Sequence, residues 1–252
     1  MVSLKPMSAT ELWLVRHGES IANVAATSSE AAGLEVVHVD LRDADVPLSP
    51  AGQQQAEALG DWLAGVEAGE RPTVAWGSSY LRARQTMSIA LERMGGEVAV
   101  RVDERLRDRE LGVLDLLTSH GVEARFPEEA VRRRWLGKFY YRPPGGESWA
   151  DVALRIRSLL VDLERPSAPQ RVLVVAHDAI VMSFLYVCTG LSEAQLLAFA
   201  STNVVANASV TRLSRETDGE WWSLDAFSEA GHLAEAGAPV TLHTGDQDAR
   251  PR

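Results

Sequence analysis

One run does most to limit the fold. Arg171-Val172-Leu173-Val174-Val175-Ala176-His177 is continuous, apolar and β-branched between its charged ends. That is the composition of a strand covered on both faces, central in a parallel sheet. A second apolar run, Leu12-Trp13-Leu14-Val15, stops as abruptly at Arg16-His17-Gly18-Glu19-Ser20. Open α/β sheets bind ligands at the carboxyl ends of their strands. Two strands that end in histidine therefore predict His17 and His177 on one rim.

Between these runs strands alternate with helices. Residues 11–16 read as the first strand. Val46-Pro47-Leu48-Ser49-Pro50 leads into a helix, with Ser49 as its cap, Pro50 in its first position and a stripe of Ala56, Leu59, Trp62 and Leu63. A strand over Thr73–Ser79 precedes a helix from Leu81 to Met94 that stops at Gly95-Gly96. Val98–Val102 fits a third strand. A charge-dense segment, Arg105 to Gly112, gives way to helical sequence up to about Trp135, and Arg142-Pro143-Pro144-Gly145-Gly146 breaks the chain. Trp149, Val152, Ala153, Ile156, Leu159, Leu160 and Leu163 mark a helix over Ser148–Leu163. Another follows His177, with Ile180, Val181, Phe184 and Leu185 as its apolar face. Ser192 caps one more. β-like runs at Val204–Ala208, Ser209–Leu213 and Trp221–Leu224 come last. From Ile21 to Asp45 the pattern is weak, which predicts a long connection over the site or a surface excursion. The alternation predicts a three-layer α/β/α sandwich with a mostly parallel central sheet, one catalytic domain over 1–232 and a loose tail over 233–252.

The formal net charge is -10. It argues against nucleic acid or an anionic membrane as the main partner and leaves room for a local basic pocket that takes a small anionic substrate. Cys188 is the one cysteine, so no internal disulfide forms, as suits a reducing cytoplasm. No apolar run approaches the ~18 residues of a membrane span, and Met1–Thr10 lacks the apolar core of a signal peptide. A cytoplasmic protein is the expectation.

The residues at the first strand end have complementary chemistry. Arg16 offers a fixed cationic fork, His17 a nucleophile or base usable near neutral pH, and Gly18 a backbone without a Cβ. For His17 to attack, one ring nitrogen must face the electrophile while an acceptor, such as a backbone carbonyl, holds the other. His38, His120, His232 and His243 have no partner pattern and read as surface. The Arg132-Arg133-Arg134-Trp135 run reads as a solvated helix face, or as a lid over a second anionic group, with Tyr140, Tyr141 and Arg142 at the same mouth.

Several elements in order carry a resemblance. Arg16-His17-Gly18-Glu19-Ser20 with Asn23, the segment Asp45 to Ala56, Ser78-Ser79-Tyr80-Leu81-Arg82-Ala83-Arg84-Gln85-Thr86, Pro144-Gly145-Gly146-Glu147-Ser148 and Val175-Ala176-His177 resemble the histidine phosphatase superfamily, also called phosphoglycerate-mutase-like. The match runs from about Leu12 to Ser209. The resemblance implies that His17 accepts a phosphoryl group, that Arg16, Arg82, His177 and Asn23 bind it, and that no metal or cofactor is required. Ser20 is either a further phosphate contact or only a helix cap. The proton donor falls on Asp108, an aspartate where the family most often has glutamate, with Glu110 as the alternative; either must keep a raised pKa to stay protonated. Asp178 stands where the family usually has glycine. The implied activity is a metal-independent phosphomonoesterase working through phosphohistidine on a small phosphorylated metabolite. A phosphomutase is the alternative, although the stretch from Gly112 to Gly145 is short for the cover that mutases carry. A non-catalytic phospho-ligand module is the remaining one.

Overall fold

The computed structural model describes residues 9–163, 171–215 and 221–243. The strands are β1 (Glu11–Arg16), β2 (Val74–Ser78), β3 (Ala99–Asp103), β4 (Arg171–Ala176), β5 (Val210–Ser214) and β6 (Ser223–Glu229). They form one sheet in the order β3-β2-β4-β1-β5-β6. Neighbours pair in parallel from β3 to β1, and β5 runs antiparallel to both β1 and β6. The two histidine-ending runs lie side by side at its centre, with Arg16 opposite Ala176.

Along each strand successive side chains point to opposite faces. Leu12, Leu14, Val172, Val174 and Trp76 enter one core, and Trp13, Val15, Leu173, Val175 and Ala75 the other. The helices are α1 (Ile21–Ala31), α2 (Pro50–Gly65), α3 (Leu81–Met94), α4 (Ser119–Arg125), α5 (Pro127–Leu136), α6 (Trp149–Leu163), α7 (Asp178–Thr189), α8 (Glu193–Thr202) and α9 (Gly231–Glu235). α2 and α3 cover the second face through Leu59, Leu63, Ala83, Met87 and Ala90. α6 and α7 cover the first through Ile156, Leu159, Leu163, Ile180 and Phe184. Each such large side chain contributes about 1.5–3 kcal/mol on burial. The three layers are those the alternation predicts.

Four expectations change. Residues 21–31 form a helix rather than a connection. Only Ser29 of α1 is buried, so no apolar stripe marks it, and it is set by a capping box between Ser20 and Asn23. Val204–Ala208 is not a strand: Ala208 takes a positive φ of 54°, and its N–H bonds the carbonyl of Arg16 instead of a ladder partner. Residues 233–243 are packed rather than loose. Leu233 is buried against Ala58 and Ala208, and Gln55 Nε2 donates to the Pro239 carbonyl and Thr241 Oγ1, both at 2.8 Å. Residues 244–252 lie outside the described residues. Lastly, two histidines read as surface are not. His232 is buried with Nε2 3.1 Å from the Ala208 carbonyl, and His243 sets its Nε2 2.8 Å from the buried carboxylate of Glu19. Among the described residues no helix is long and apolar enough to cross a membrane.

Candidate active site

Because β1 and β4 are parallel and in register, the residues that follow them emerge together. The rings of His17 and His177 lie with centroids 5.1 Å apart, edge to face. Gly18 explains how the chain turns here. A Cβ on it would sit 2.5 Å from the Gly52 carbonyl oxygen, so only glycine lets this loop press against the start of α2. The Gly18 N–H donates to Thr86 Oγ1 at 3.0 Å, and Asn207 Nδ2 donates to the His17 carbonyl at 3.0 Å.

The His17 ring is buried and held at both nitrogens. Nδ1 is 2.7 Å from the Gly18 carbonyl, the backbone acceptor anticipated for this ring. Nε2 is 3.2 Å from Arg82 Nε. Arginine can only donate, so Nε2 accepts and Nδ1 carries the proton. Burial, then the charges of Arg82, His177 and Arg16, hold the imidazolium pKa well below its usual value. Neutral His17 thus keeps a lone pair on Nε2 in the neutral pH range.

Positive charge gathers around it. Arg16 is 3 % exposed; its Nη1 donates to the Val205 carbonyl at 2.5 Å, while its Nε has no partner among the described residues. Burial lowers the Arg16 pKa, against the carboxylates of Asp178 and Asp108, which raise it. Asp178, in the first turn of α7, therefore acts as a counter-charge beside the rim. Arg82 points Nη1 at the Asp43 carbonyl (2.7 Å) and carboxylate (2.9 Å). Its Nη2 points at Asp43 Oδ2 (3.3 Å) and Asp108 Oδ2 (3.2 Å). His177, fully buried, sets Nε2 2.8 Å from Ser78 Oγ and Nδ1 3.3 Å from Asp108 Oδ2. Burial pushes the His177 pKa down, with Asp108 opposing.

Asp108 rather than Glu110 touches these cations. The Glu110 carboxylate instead accepts from Tyr80 Oη at 2.8 Å, and the Tyr80 ring packs 5.3 Å from His177. The raised pKa anticipated for the acid is corrected for Asp108. Burial alone would raise it, but His177, Arg82 and the Arg109 N–H together hold it well below the usual carboxylate range. At rest Asp108 is ionised.

Ser20 and Asn23 are engaged in the capping box: Ser20 Oγ accepts from the Asn23 N–H (3.2 Å) and Asn23 Oδ1 from the Ser20 N–H (3.1 Å). Asn207 Nδ2 also reaches Asn23 Oδ1 at 3.4 Å, so Asn23 lies beside the His17 loop. Trp135, at 83 % exposure, and Arg132 and Arg134 face solvent on α5. Tyr140 bonds Glu193, Tyr141 bonds Glu129, and Arg142 pairs with Asp151.

Asp43, Asn207 and Arg155 are among the residues at the site that were not anticipated. Asp43 grips Arg82. Asn207 holds the His17 carbonyl. Arg155 of α6 donates to the carbonyls of Arg105, Arg107 (2.9 Å) and Asp108 (3.1 Å) and pairs with Glu147 at 3.1 Å. Arg155 had a readable signal, since it falls three residues after Val152 and four before Leu159, on the buried face of its helix. Asp43 and Asn207 had none.

The rim of the parallel sheet thus gathers two imidazoles and two buried guanidiniums, with Arg82 bonded to His17 and Arg16 within electrostatic reach of it. The chain belongs to the histidine phosphatase superfamily, branch 1, whose sequence pattern matches residues 12–228. Among curated relatives, a 2,3-bisphosphoglycerate-dependent phosphoglycerate mutase of Methylobacterium radiotolerans is 35% identical over 188 residues, 73% of this chain and 82% of that protein. A fructose-2,6-bisphosphatase of Saccharomyces cerevisiae is 31% identical over 68% of this chain, which spans only 32% of that longer protein. A solved mycobacterial glucosyl-3-phosphoglycerate phosphatase superposes with a TM-score of 0.68 at 31% identity, covering 88% of this chain and 100% of that one.

Proposed function

We propose that the chain is a metal-independent phosphomonoesterase that works through phospho-His17 on a small phosphorylated metabolite. The observation that carries this reading is the state of His17: neutral, with Nδ1 held by the Gly18 carbonyl and an unprotonated Nε2 facing Arg82. Nε2 gives up its hydrogen bond from Arg82 as the phosphoryl group enters and attacks phosphorus in line, the bond from phosphorus to the ester oxygen breaks, and the leaving alkoxide takes a proton from Asp108. Water, giving a proton to the now ionised Asp108, then attacks the phosphorus, the P–N bond breaks, phosphate leaves and neutral His17 returns. Arg16 and Arg82 supply the positive charge for the equatorial oxygens, the His177 ring a hydrogen-bond donor, with Asn23 and Ser20 at the edge of that site.

Asp108 changes role as substrate arrives. A phosphoryl dianion on Arg82 offsets the positive charge that keeps Asp108 ionised, and adds repulsion of its own. Both raise the proton affinity of the carboxyl, so it takes up a proton from solvent and passes it to the alkoxide.

The second reading is the mutase, favoured by the 35% identity to a phosphoglycerate mutase. Against it, Gly112 lies against the backbone of Pro144 and Gly145. The segment between them forms a closed excursion bearing a 3-10 turn at Gly112–Leu114 and the two short helices α4 and α5, a small cover for excluding water. The sole cysteine, Cys188, buried and with no second cysteine to pair with, fits a reducing cytoplasm as the place of action.

Phosphate release from an aryl phosphate, with trapping of acid-labile phosphoenzyme, tests the main reading. Wild type releases phosphate and labels, and His17→Ala does neither. Turnover in that variant near the wild-type rate removes His17 as nucleophile. With 3-phosphoglycerate and a bisphosphoglycerate primer, phosphate release supports hydrolysis, and isomer formation without release supports the mutase.

A further inference from the structure

The guanidinium of Arg82 is already full. Its five N–H groups face five acceptors: His17 Nε2, the Asp43 carbonyl, both Asp43 carboxylate oxygens and Asp108 Oδ2. A phosphoryl group that is to be gripped by Arg82 must displace some of them. The ring of His17 is fixed by Gly18, and the Asp43 carbonyl belongs to the backbone of a short turn, Asp43–Asp45. Asp108 is held independently by the Arg109 N–H at 2.9 Å and lies 3.3 Å from His177 Nδ1. The Asp43 carboxylate alone has no second anchor. Among the described residues its oxygens bond only Arg82, and its side chain is 38% exposed. It can turn into water without leaving a buried charge behind.

We propose that Asp43 is a built-in competitor of phosphate at this site, a carboxylate that stands in for two phosphoryl oxygens on Arg82 and sets how firmly the site holds its ligand. The inference rests on Arg82 being a phosphate ligand. In the resting site Asp43 neutralises Arg82 and fills its fork bidentately, the geometry that also suits phosphate. When phosphate enters, Asp43 swings outward but stays tethered beside a dianion of like charge. Ground-state binding and product retention are weakened, while the reacting atoms are untouched. Asp43 is thus an affinity-setting residue rather than a catalytic one, and its effect has a distinctive sign: removal of the carboxylate should tighten binding.

Calorimetric titration of the full chain with inorganic orthophosphate tests this, using wild type, Asp43→Ala, Asp43→Asn and Arg82→Ala. Asp43→Asn keeps the size of the side chain, so the test stands even if the alanine variant folds poorly. Release of an ion pair exposed only on its Asp43 side, with loss of like-charge repulsion, predicts about five-fold tighter phosphate binding in both Asp43 variants. Arg82→Ala should bind more weakly than wild type. If the Asp43 variants bind equally or more weakly while Arg82→Ala also weakens, the competitor idea is overturned and Asp43 is a prop for a genuine phosphate ligand. If Arg82→Ala binds as well as wild type, the phosphate-site reading falls and the inference with it.

Discussion

Arg82 donates its Nε–H to Nε2 of His17 at 3.2 Å across 65 positions of sequence. One contact fixes the tautomer, aims the lone pair and places a cation where negative charge would gather. A lysine cannot hold this geometry, because its point-like ammonium has no fixed fork. Arg82→Lys should therefore lower kcat/KM for an aryl phosphate by about a hundred-fold or more, as measured by steady-state phosphate release.

The two carboxyls of the acid segment should separate by leaving group. Asp108 lies between Arg82 and His177, whereas Glu110 is one phenol away. Asp108→Asn should reduce kcat about 100-fold for alkyl phosphates and much less for nitrophenyl phosphate, the range of a lost general acid. Glu110→Gln should stay within a few-fold on both. The reverse ranking would transfer the role to Glu110.

Stability should rise with pH through the acid range. The folded-state pKa of His17 is depressed, so below the unfolded value of about 6.5 the unfolded chain binds the extra proton and stability falls as pH drops. His177 and His232, also depressed by burial, act in the same direction. Asp108 adds a further loss below about pH 4, since its depressed pKa stabilises only while it is ionised. Chemical denaturation from pH 4 to 8 should show this slope. His17→Asn should remove up to about 1.4 kcal/mol per pH unit of it below 6.5, and an unchanged slope would contradict a neutral buried His17.

Gly18 is a steric requirement. The methyl group of an alanine here would lie only 2.5 Å from the Gly52 carbonyl oxygen, so Gly18→Ala must push the His17 loop off α2. The expected cost is about 1–3 kcal/mol in stability and about 100-fold in activity, as for a displacement near 1 Å of a catalytic group. Thermal denaturation and turnover check the two parts.

Arg155 should matter without touching substrate. It is nearly buried, with 9% of its side chain exposed, and binds three carbonyls of the Asp108 segment together with Glu147. Arg155→Ala should destabilise by about 3 kcal/mol, the cost of breaking a buried pair, and depress kcat for poor leaving groups more than KM. A destabilised variant with full activity on alkyl phosphates would show that the segment holds its shape unaided.

The central strands, the helix from Leu81 to Met94 and the two histidine ends were legible because their signals are local. A buried parallel strand is written as an unbroken apolar run, and an amphipathic helix as a period. α1 was not legible, because it buries only Ser29 and is fixed by its cap. The packing of 233–243 was not, because Leu233 and the bonds from Gln55 to Pro239 and Thr241 join positions far apart in the chain.

By itself, then, the sequence determined the layers, the rim and the residue types gathered there, since hydrophobic period and strand ends are properties of neighbouring residues. Only the tertiary structure decided which nitrogen of His17 is unprotonated, that Asp108 is ionised at rest and that Asp43 fills Arg82. Protonation and pairing depend on burial and on charges brought within about 4 Å, where Coulomb energies outweigh any local preference.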